Sequence, residues 1–229
     1  MQDIPQKNYF NTIPWPKNRF ISLAAALLFS SILGWGVLSG VNNKTAVSEP
    51  RGTANPVCPP ATGTVLRSTP EKGLSPEAVQ IVLKNKGLFD AHRNPSGPGI
   101  PHKFETQKDG KVVYDHASGL TWQQTGSLND MDYQDAKIYV STLNKDRFAG
   151  YDDWRLSTLE EAISLVEPTK KGSNSHTNPL FDPRQTRIWT SDSRKEGTSW
   201  VVWFDSGFCD YAYTDSNVKY YVRAVRAKP

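Results

Sequence analysis

The stretch AGYDDWRLSTLEE, residues 149–161, decides the fold and is called the signature stretch below. Its first five residues include a glycine and two aspartates, which are turn formers. The triplet 154–156 alternates apolar, charged and apolar side chains, as a short half-buried strand does. Ser157 and Thr158 each precede a glutamate by three residues, so either one fits a helix capping box. The stretch therefore predicts a turn, a strand and a helix start around Trp154.

Local signals predict two further helices and a hairpin before this stretch. Ser75, followed by proline and glutamate, has the pattern of a helix N-cap, and Gly87 marks the end of that helix. Asp132 caps the next helix, whose apolar residues recur on one face. Two short runs of strand-forming residues flank the turn residues 115–119, which predicts a β-hairpin over residues 111–123.

The C-terminal part is rich in predicted strands, at residues 187–190, 199–204 and 220–227. Apolar side chains occupy both faces of the middle run, which is typical of a central strand covered on both sides. Strands and helices do not alternate regularly along the chain. We therefore predict an α+β domain with an antiparallel sheet and two to three helices.

Several blocks of this chain resemble the Lcl C-terminal domain family, in the family's own order over about residues 105–227. The most specific block is GYDDWRL at residues 150–156, and the others lie at residues 113–123, 188–191, 200–204 and 221–226. The family usually has proline before the capping threonine, where this chain has Ser157. The resemblance implies a fold similar to C-type lectins and to formylglycine-generating enzymes.

The resemblance says less about function than about fold. The best-known member of the family is a collagen-like bacterial adhesin that binds sulfated glycosaminoglycans. This chain has no Gly-X-Y tract, so that architecture does not carry over. The family has no agreed set of functional residues to transfer, and a shared fold does not fix a shared function.

The N-terminal third predicts a membrane tether. Residues 1–19 are predicted to be a disordered segment. Residues 20–41 are predicted to be a transmembrane signal anchor, because the chain carries no charge from residue 20 to residue 43 and a helix of about 20 residues crosses a bilayer. A proline-rich tether, residues 42–70, then leads to a globular domain at residues 71–229. The anchor predicts a single-pass protein of the bacterial inner membrane with a periplasmic domain. The alternative is a signal peptide that is cleaved to release a secreted domain.

The charge distribution argues against nucleic-acid binding. The chain carries a net charge of +4, of which residues 1–63 hold +3 and residues 64–229 only +1. A nearly neutral domain lacks the dense basic face that phosphate backbones require.

No motif with metal-ligand or catalytic spacing is present, so no metal and no cofactor is predicted. The four histidines, at positions 92, 102, 116 and 176, form no H-x-x-H pair. Asp152 and Asp153 read as turn residues rather than paired acids. Arg223 and Arg226 have two alternative roles: pairing with a carboxylate of the protein, or binding an anion. A disulfide between Cys58 and Cys209 is compatible with an oxidising compartment, and a free buried Cys209 is the alternative.

The best binding candidate is the segment 205–217, read as a loop between two strands. It combines carboxylates and tyrosine rings, which hydrogen-bond hydroxyls and stack on sugar faces. The candidate ligand-binding residues are Asp205, Asp210, Tyr211, Tyr213 and Asp215.

These features predict a membrane-anchored, non-catalytic binding module that faces the periplasm or exterior and recognises a glycan or peptide. One alternative is a structural or interaction domain of an envelope protein complex. Another is an enzyme with a dispersed Ser-His-Asp site, since such sites are recognised by geometry rather than by chain order. The oligomeric state does not follow from the sequence.

Overall fold

A computed structural model describes residues 65–172 and 174–227. Within these ranges the chain forms three α-helices, one 3-10 turn (Phe148–Gly150) and seven strands. The helices are α1 (Pro76–Asn85), α2 (Tyr133–Lys145) and α3 (Leu159–Ser164). The strands are β1 (Phe104–Gln107), β2 (Val112–Asp115), β3 (Leu120–Gln123), β4 (Arg187–Trp189), β5 (Thr198–Trp203), β6 (Phe208–Tyr213) and β7 (Val225–Ala227).

The strands form two antiparallel sheets, ordered β1-β2-β3-β7 and β4-β5-β6. The predicted hairpin at residues 111–123 is confirmed as β2 and β3. Asp115 shapes its turn, because the carboxylate accepts hydrogen bonds from the backbone of Ala117 and from Ser118. The predicted α+β class, with antiparallel sheets and three helices, is therefore confirmed.

Strand β5 is central and covered on both faces, as its apolar pattern predicts. Trp200 and Val202 join one hydrophobic cluster, while Val201 joins a second cluster on the opposite face. β4 and β6 pair with its two edges. Because successive side chains of a strand point to opposite faces, one apolar strand serves both clusters.

The segment 205–217 is not one loop, and that prediction is wrong. Residues 205–207 form a tight turn, 208–213 form β6 and only the residues after Tyr213 leave the sheet. Gly207 adopts φ +75°, and a Cβ there would lie 2.9 Å from the ring of His176. Along β6, Tyr211 and Tyr213 lie on one face and Asp210 on the other, as the alternation of side chains in a strand requires.

The signature stretch packs as predicted but is less regular. Only Arg155 of the triplet 154–156 pairs, as a single bridge to Val225, so the predicted strand is wrong in extent. Asn144 holds the backbone of Trp154 at both its N–H and its carbonyl. Of the two candidate caps, Thr158 forms the capping box of α3. The predicted strand 220–227 is likewise shorter, since only β7 is regular and residues 220 and 221 form isolated bridges.

The predicted N-caps of the other helices are confirmed. Ser75 accepts a hydrogen bond from the backbone of Ala78 at the start of α1, and Asp132 accepts two at the start of α2. Helix α1 contributes Val79 and Leu83 to the first cluster. Residues before the hairpin are therefore part of the folded domain.

Within the described ranges, no helix has the length and apolarity needed to span a bilayer. The predicted disordered segment 1–19, the predicted anchor 20–41 and the predicted tether up to residue 64 lie outside those ranges.

Candidate ligand-binding site

The structure divides the five predicted site residues between two ends and two faces of the second sheet. Asp205 lies in the turn before β6, whereas Tyr213 ends the strand. The ends of a six-residue strand are roughly 17 Å apart at about 3.3 Å per residue. Asp210 lies on the β6 face opposite Tyr211, because neighbouring strand residues alternate. Asp215 follows the strand in a turn, so the five residues do not form one pocket.

The turn end is occupied by its own contacts. A carboxylate oxygen of Asp205 lies 3.2 Å from the guanidinium of Arg187. Arg187 also stacks 3.8 Å from the centre of the Trp203 ring, and Phe208 covers that ring from the other neighbouring strand. Arg187 and Phe208 therefore compete with a sugar for stacking on the indole. Asp210 accepts a hydrogen bond from the backbone N–H of Tyr211, which blocks part of the sheet edge.

The opposite end of β6 is more open and is flanked by cations. The ring of Tyr213 is half-exposed, at 51%. The ammonium of Lys195 lies 5.4 Å from the centre of this ring, and Arg194 lies 4.4 Å from the Tyr211 ring. Two of the predicted residues thus lie beside a positively charged surface rather than an acidic one.

This surface continues into a cleft of about 770 Å³, called the lysine cleft here. Four separate chain segments line it with three lysines, one carboxylate, a tyrosine and several hydroxyls: Pro70, Lys72, Gly73, Tyr133, Gln134, Lys137, Ser191, Ser193, Lys195, Glu196, Gly197, Thr198 and Thr214. Among the described residues, none of its three lysines forms an ion pair within 4.0 Å. The cleft is therefore lined by three lysines that have no carboxylate partner in the described part of the chain.

Sequence reasoning missed these lysines, because they lie far apart in the chain. One signal was available: Tyr133 and Lys137 are four residues apart, so they share a face of α2. The Lys137 ammonium lies 5.4 Å from the centre of the Tyr133 ring. The ring in turn packs edge-on against Trp189, and burial raises the pKa of its phenol.

One wall of the lysine cleft belongs to an extended segment, residues 67–73, called the strap here. It includes the last residues of the predicted tether. Asp192, which is fully buried, accepts hydrogen bonds from the guanidinium of Arg67 at 2.5 Å and 3.0 Å and from the backbone of Glu71 at 2.7 Å. These hydrogen bonds to Asp192 raise the pKa of the Arg67 guanidinium. The N–H of Ser193 donates back to the carbonyl of Glu71.

The one buried histidine–aspartate pair is built as a structural bridge. Nδ1 of His102 lies 2.7 Å from a carboxylate oxygen of Asp115, as in a catalytic dyad. Its Nε2 lies 2.7 Å from the backbone carbonyl of Ser164, so this nitrogen is not directed at a nucleophile. Burial acts to raise the pKa of Asp115, but the hydrogen bonds and charge of His102 outweigh it, and the pKa is lowered.

The remaining charged candidates hold the fold together. Asp153 pairs with Arg226 at 2.5 Å, and the exposed Asp152 lies 3.2 Å from Arg147. Arg223 is buried over the ring of Phe181 and donates to three backbone carbonyls. Burial lowers the pKa of this guanidinium to about 9. Both arginines are thus directed at groups of the protein itself.

Cys209 is buried with a free thiol, 3.2 Å from a carboxylate oxygen of Asp90. Burial, together with the charge of Asp90, raises the pKa of the thiol well above its ordinary value. Cys58 lies outside the described residues. In the part of the chain that the structure describes, no three His, Cys, Asp or Glu side chains are grouped to hold a metal ion.

Comparison with known proteins gives one relationship. No curated protein matches this chain. The model of the Lcl C-terminal domain matches residues 111–226, which contain the hairpin, α2, the signature stretch and the second sheet. The match leaves α1, β1 and the strap outside its limits, although α1 contributes to the hydrophobic core. With half of its length matched in this way, the chain belongs to the Lcl C-terminal domain family.

Proposed function

We propose that this protein is a non-catalytic binding module that takes an anionic glycan in the lysine cleft. The observation that supports it is the cleft itself, which Lys72, Lys137 and Lys195 line without forming ion pairs to the described residues. Elsewhere the cations near buried carboxylates are paired. Sulfate or carboxylate groups of a glycan are the charges that would complete the site.

The neighbouring groups suit a sugar rather than a bare ion. Ser193 and Thr214 contribute hydroxyl groups to the lining of the cleft. The exposed ring of Tyr213 lies beside Lys195 and offers an apolar surface with a polar tip. A cleft of about 770 Å³ is large enough for a short glycan, since typical small-molecule pockets measure about 300–1,000 Å³. An extended anionic chain is therefore the ligand class that fits best.

The proposal includes a C-type lectin-like fold for the domain and a location at the bacterial inner membrane. Two antiparallel sheets and three helices around a shared core are compatible with a C-type lectin-like domain. The uncharged run at residues 20–43 supports an anchor in the inner membrane of a bacterium, with this domain in the periplasm.

A C-terminal alkaline phosphatase fusion tests the orientation, since the phosphatase is active only outside the cytoplasm. An active cytoplasmic reporter at the same position would reject it.

A charge-matched experiment tests the ligand site. The triple variant K72Q/K137Q/K195Q is compared with K84Q/K108Q/K145Q, which removes three exposed lysines outside the cleft. Heparin is the probe, and calorimetry measures its affinity. We expect the first variant to bind roughly tenfold more weakly, at about 0.2–1 kcal/mol per exposed charge, and the second to remain near wild type. Equal losses in both variants would show non-specific attraction and reject the site.

A further inference from the structure

The strap connects the lysine cleft to everything that precedes Val65 in the chain. It contributes Pro70, Lys72 and Gly73 to the cleft wall. Residues 68–73 are exposed, and the strap ends at Leu74, which is buried in the core. Any force or displacement from the N-terminal side reaches Arg67 before it reaches Leu74, because the chain is covalently continuous.

Polar contacts rather than apolar packing hold the strap. Arg67 pairs with Asp192, its backbone N–H donates to Glu160 and its carbonyl accepts from Thr158. Ser68 donates to a carboxylate oxygen of Glu161 at 2.8 Å. Segments with few buried apolar contacts belong to the least stable, locally opening parts of a protein. Of the cleft walls, the strap is therefore the one least fixed by apolar packing, since α2 and β5 both contribute side chains to the hydrophobic clusters.

The same contacts set the shape of the cleft. Lys72 and Ser193 pair as neighbouring strands do, and the N–H of Leu74 donates to the carbonyl of Ser193. Ser191 and Ser193, which flank the Asp192 anchor, are themselves cleft residues. Release of the strap from both Asp192 and Ser193 therefore removes one wall of the cleft and one of its three lysines together.

We propose that docking of the strap and binding of the anionic ligand are thermodynamically coupled, so that the membrane-side segment regulates the cleft. This inference rests on the proposed function of the lysine cleft. A ligand held between Lys72 on the strap and Lys137 on α2 favours the docked strap. By reciprocity, an undocked strap weakens ligand binding by the same factor. Tension on the chain before Val65 then releases ligand.

Two substitutions separate coupling from simple electrostatics in the full-length chain. R67Q and D192N both break the same ion pair, but they change the net charge in opposite directions. Electrostatics alone predicts that heparin binds R67Q more weakly and D192N more tightly, because D192N removes a negative charge. Coupling predicts a three- to tenfold weaker affinity for both variants. Thermal unfolding of each variant identifies loss of the fold. If D192N unfolds, hydrogen exchange in the unsubstituted chain keeps the test available, because R67Q is expected to bind more weakly under either explanation.

Hydrogen exchange supplies the reciprocal measurement. The amides of Glu71 and Ser193, both hydrogen-bonded in the docked strap, are expected to exchange three- to tenfold more slowly with saturating heparin. Unchanged exchange rates with heparin, or tighter heparin binding by D192N, would overturn the coupling. The proposed function would still stand if heparin binding depends on the three cleft lysines. Absence of lysine-dependent heparin binding overturns both.

Discussion

Two buried carboxylates, Asp192 and Glu161, hold the strap and are called the strap anchor here. The strap anchor and the lysine cleft are adjacent, but the charges of the first are paired and those of the second are not. Asp192 and Glu161 are fully buried, and each accepts at least four hydrogen bonds. In the cleft, none of the three lysines has an ion pair among the described residues. Burial explains the difference, because an unpaired buried charge is strongly destabilising whereas an exposed one is solvated. Charges needed for folding are paired, and those available for a ligand are not.

The largest effect is expected where this contrast is strongest. Glu161→Ala removes the partner of the Arg155 guanidinium, which it binds at 2.6 Å and 2.7 Å, and half of the capping box. We expect a loss of about 3–5 kcal/mol in the free energy of unfolding, measured by urea denaturation.

Glu196→Ala is the matched control, because it truncates an exposed glutamate of the cleft. Its effect on the free energy of unfolding is expected to stay within about 0.5 kcal/mol. Similar losses in the two variants would remove the distinction between the anchor and the cleft.

The acid dependence of stability extends the comparison to Asp115. Its folded-state pKa is lowered, so its stabilising contribution is present above the unfolded pKa of about 3.9 and is lost as pH falls through the folded value. Asp115→Asn is expected to cost about 1–3 kcal/mol at pH 7. The deficit of the variant relative to wild type should shrink as the pH falls below about 4. A deficit that stays constant from neutral to acidic pH contradicts this assignment.

A smaller effect separates a satisfied hydroxyl from an unsatisfied one next to it. Thr158 caps α3, whereas the buried Ser157 hydroxyl has no hydrogen-bond partner among the residues that the structure describes. Thr158→Ala should cost about 0.5–2 kcal/mol in the free energy of unfolding. Ser157→Ala should be nearly neutral, because no hydrogen bond is lost. Chemical denaturation of the two variants in parallel measures the difference, and the reverse order would assign the cap to Ser157.

The smallest effect concerns the single carboxylate of the cleft. Glu196→Gln removes a negative charge near the proposed anionic ligand and leaves the side-chain size unchanged. Affinity for heparin is expected to rise about two- to threefold, in the range of exposed charge interactions. Glu105→Gln, on β1 in the other sheet, is the control and should leave the affinity unchanged. A decrease in the affinity of Glu196→Gln for heparin would contradict the placement of an anionic ligand beside Glu196.

Local features of the fold were predictable where a few neighbouring residues determine them. The caps at Ser75 and Asp132, the hairpin at residues 111–123 and the two-sided strand β5 all follow from short patterns. The extent of irregular pairing was not predictable. Arg155 makes a single bridge because its neighbours are held by Asn144 and by the cap of α3 rather than by a second strand.

The candidate site was predictable only in part. The aromatic and acidic residues around β6 were identified from the sequence, and Tyr213 does lie beside the cleft wall formed by Lys195. Asp205 and Asp210 lie elsewhere because a strand separates its ends and alternates its faces. Placing the segment 205–217 in a loop hid this alternation.

By itself, the sequence determined the family, the α+β class, the helix starts and the hydrophobic strand at the centre, because caps and periodicity act over a few residues. Only the tertiary structure decided where the unpaired cations meet. Lys72, Lys137 and Lys195 come from a strap, a helix and a loop, and no local pattern relates them. Asp192 brings two of them to one cleft, because its buried carboxylate binds the strap to the segment that carries Lys195.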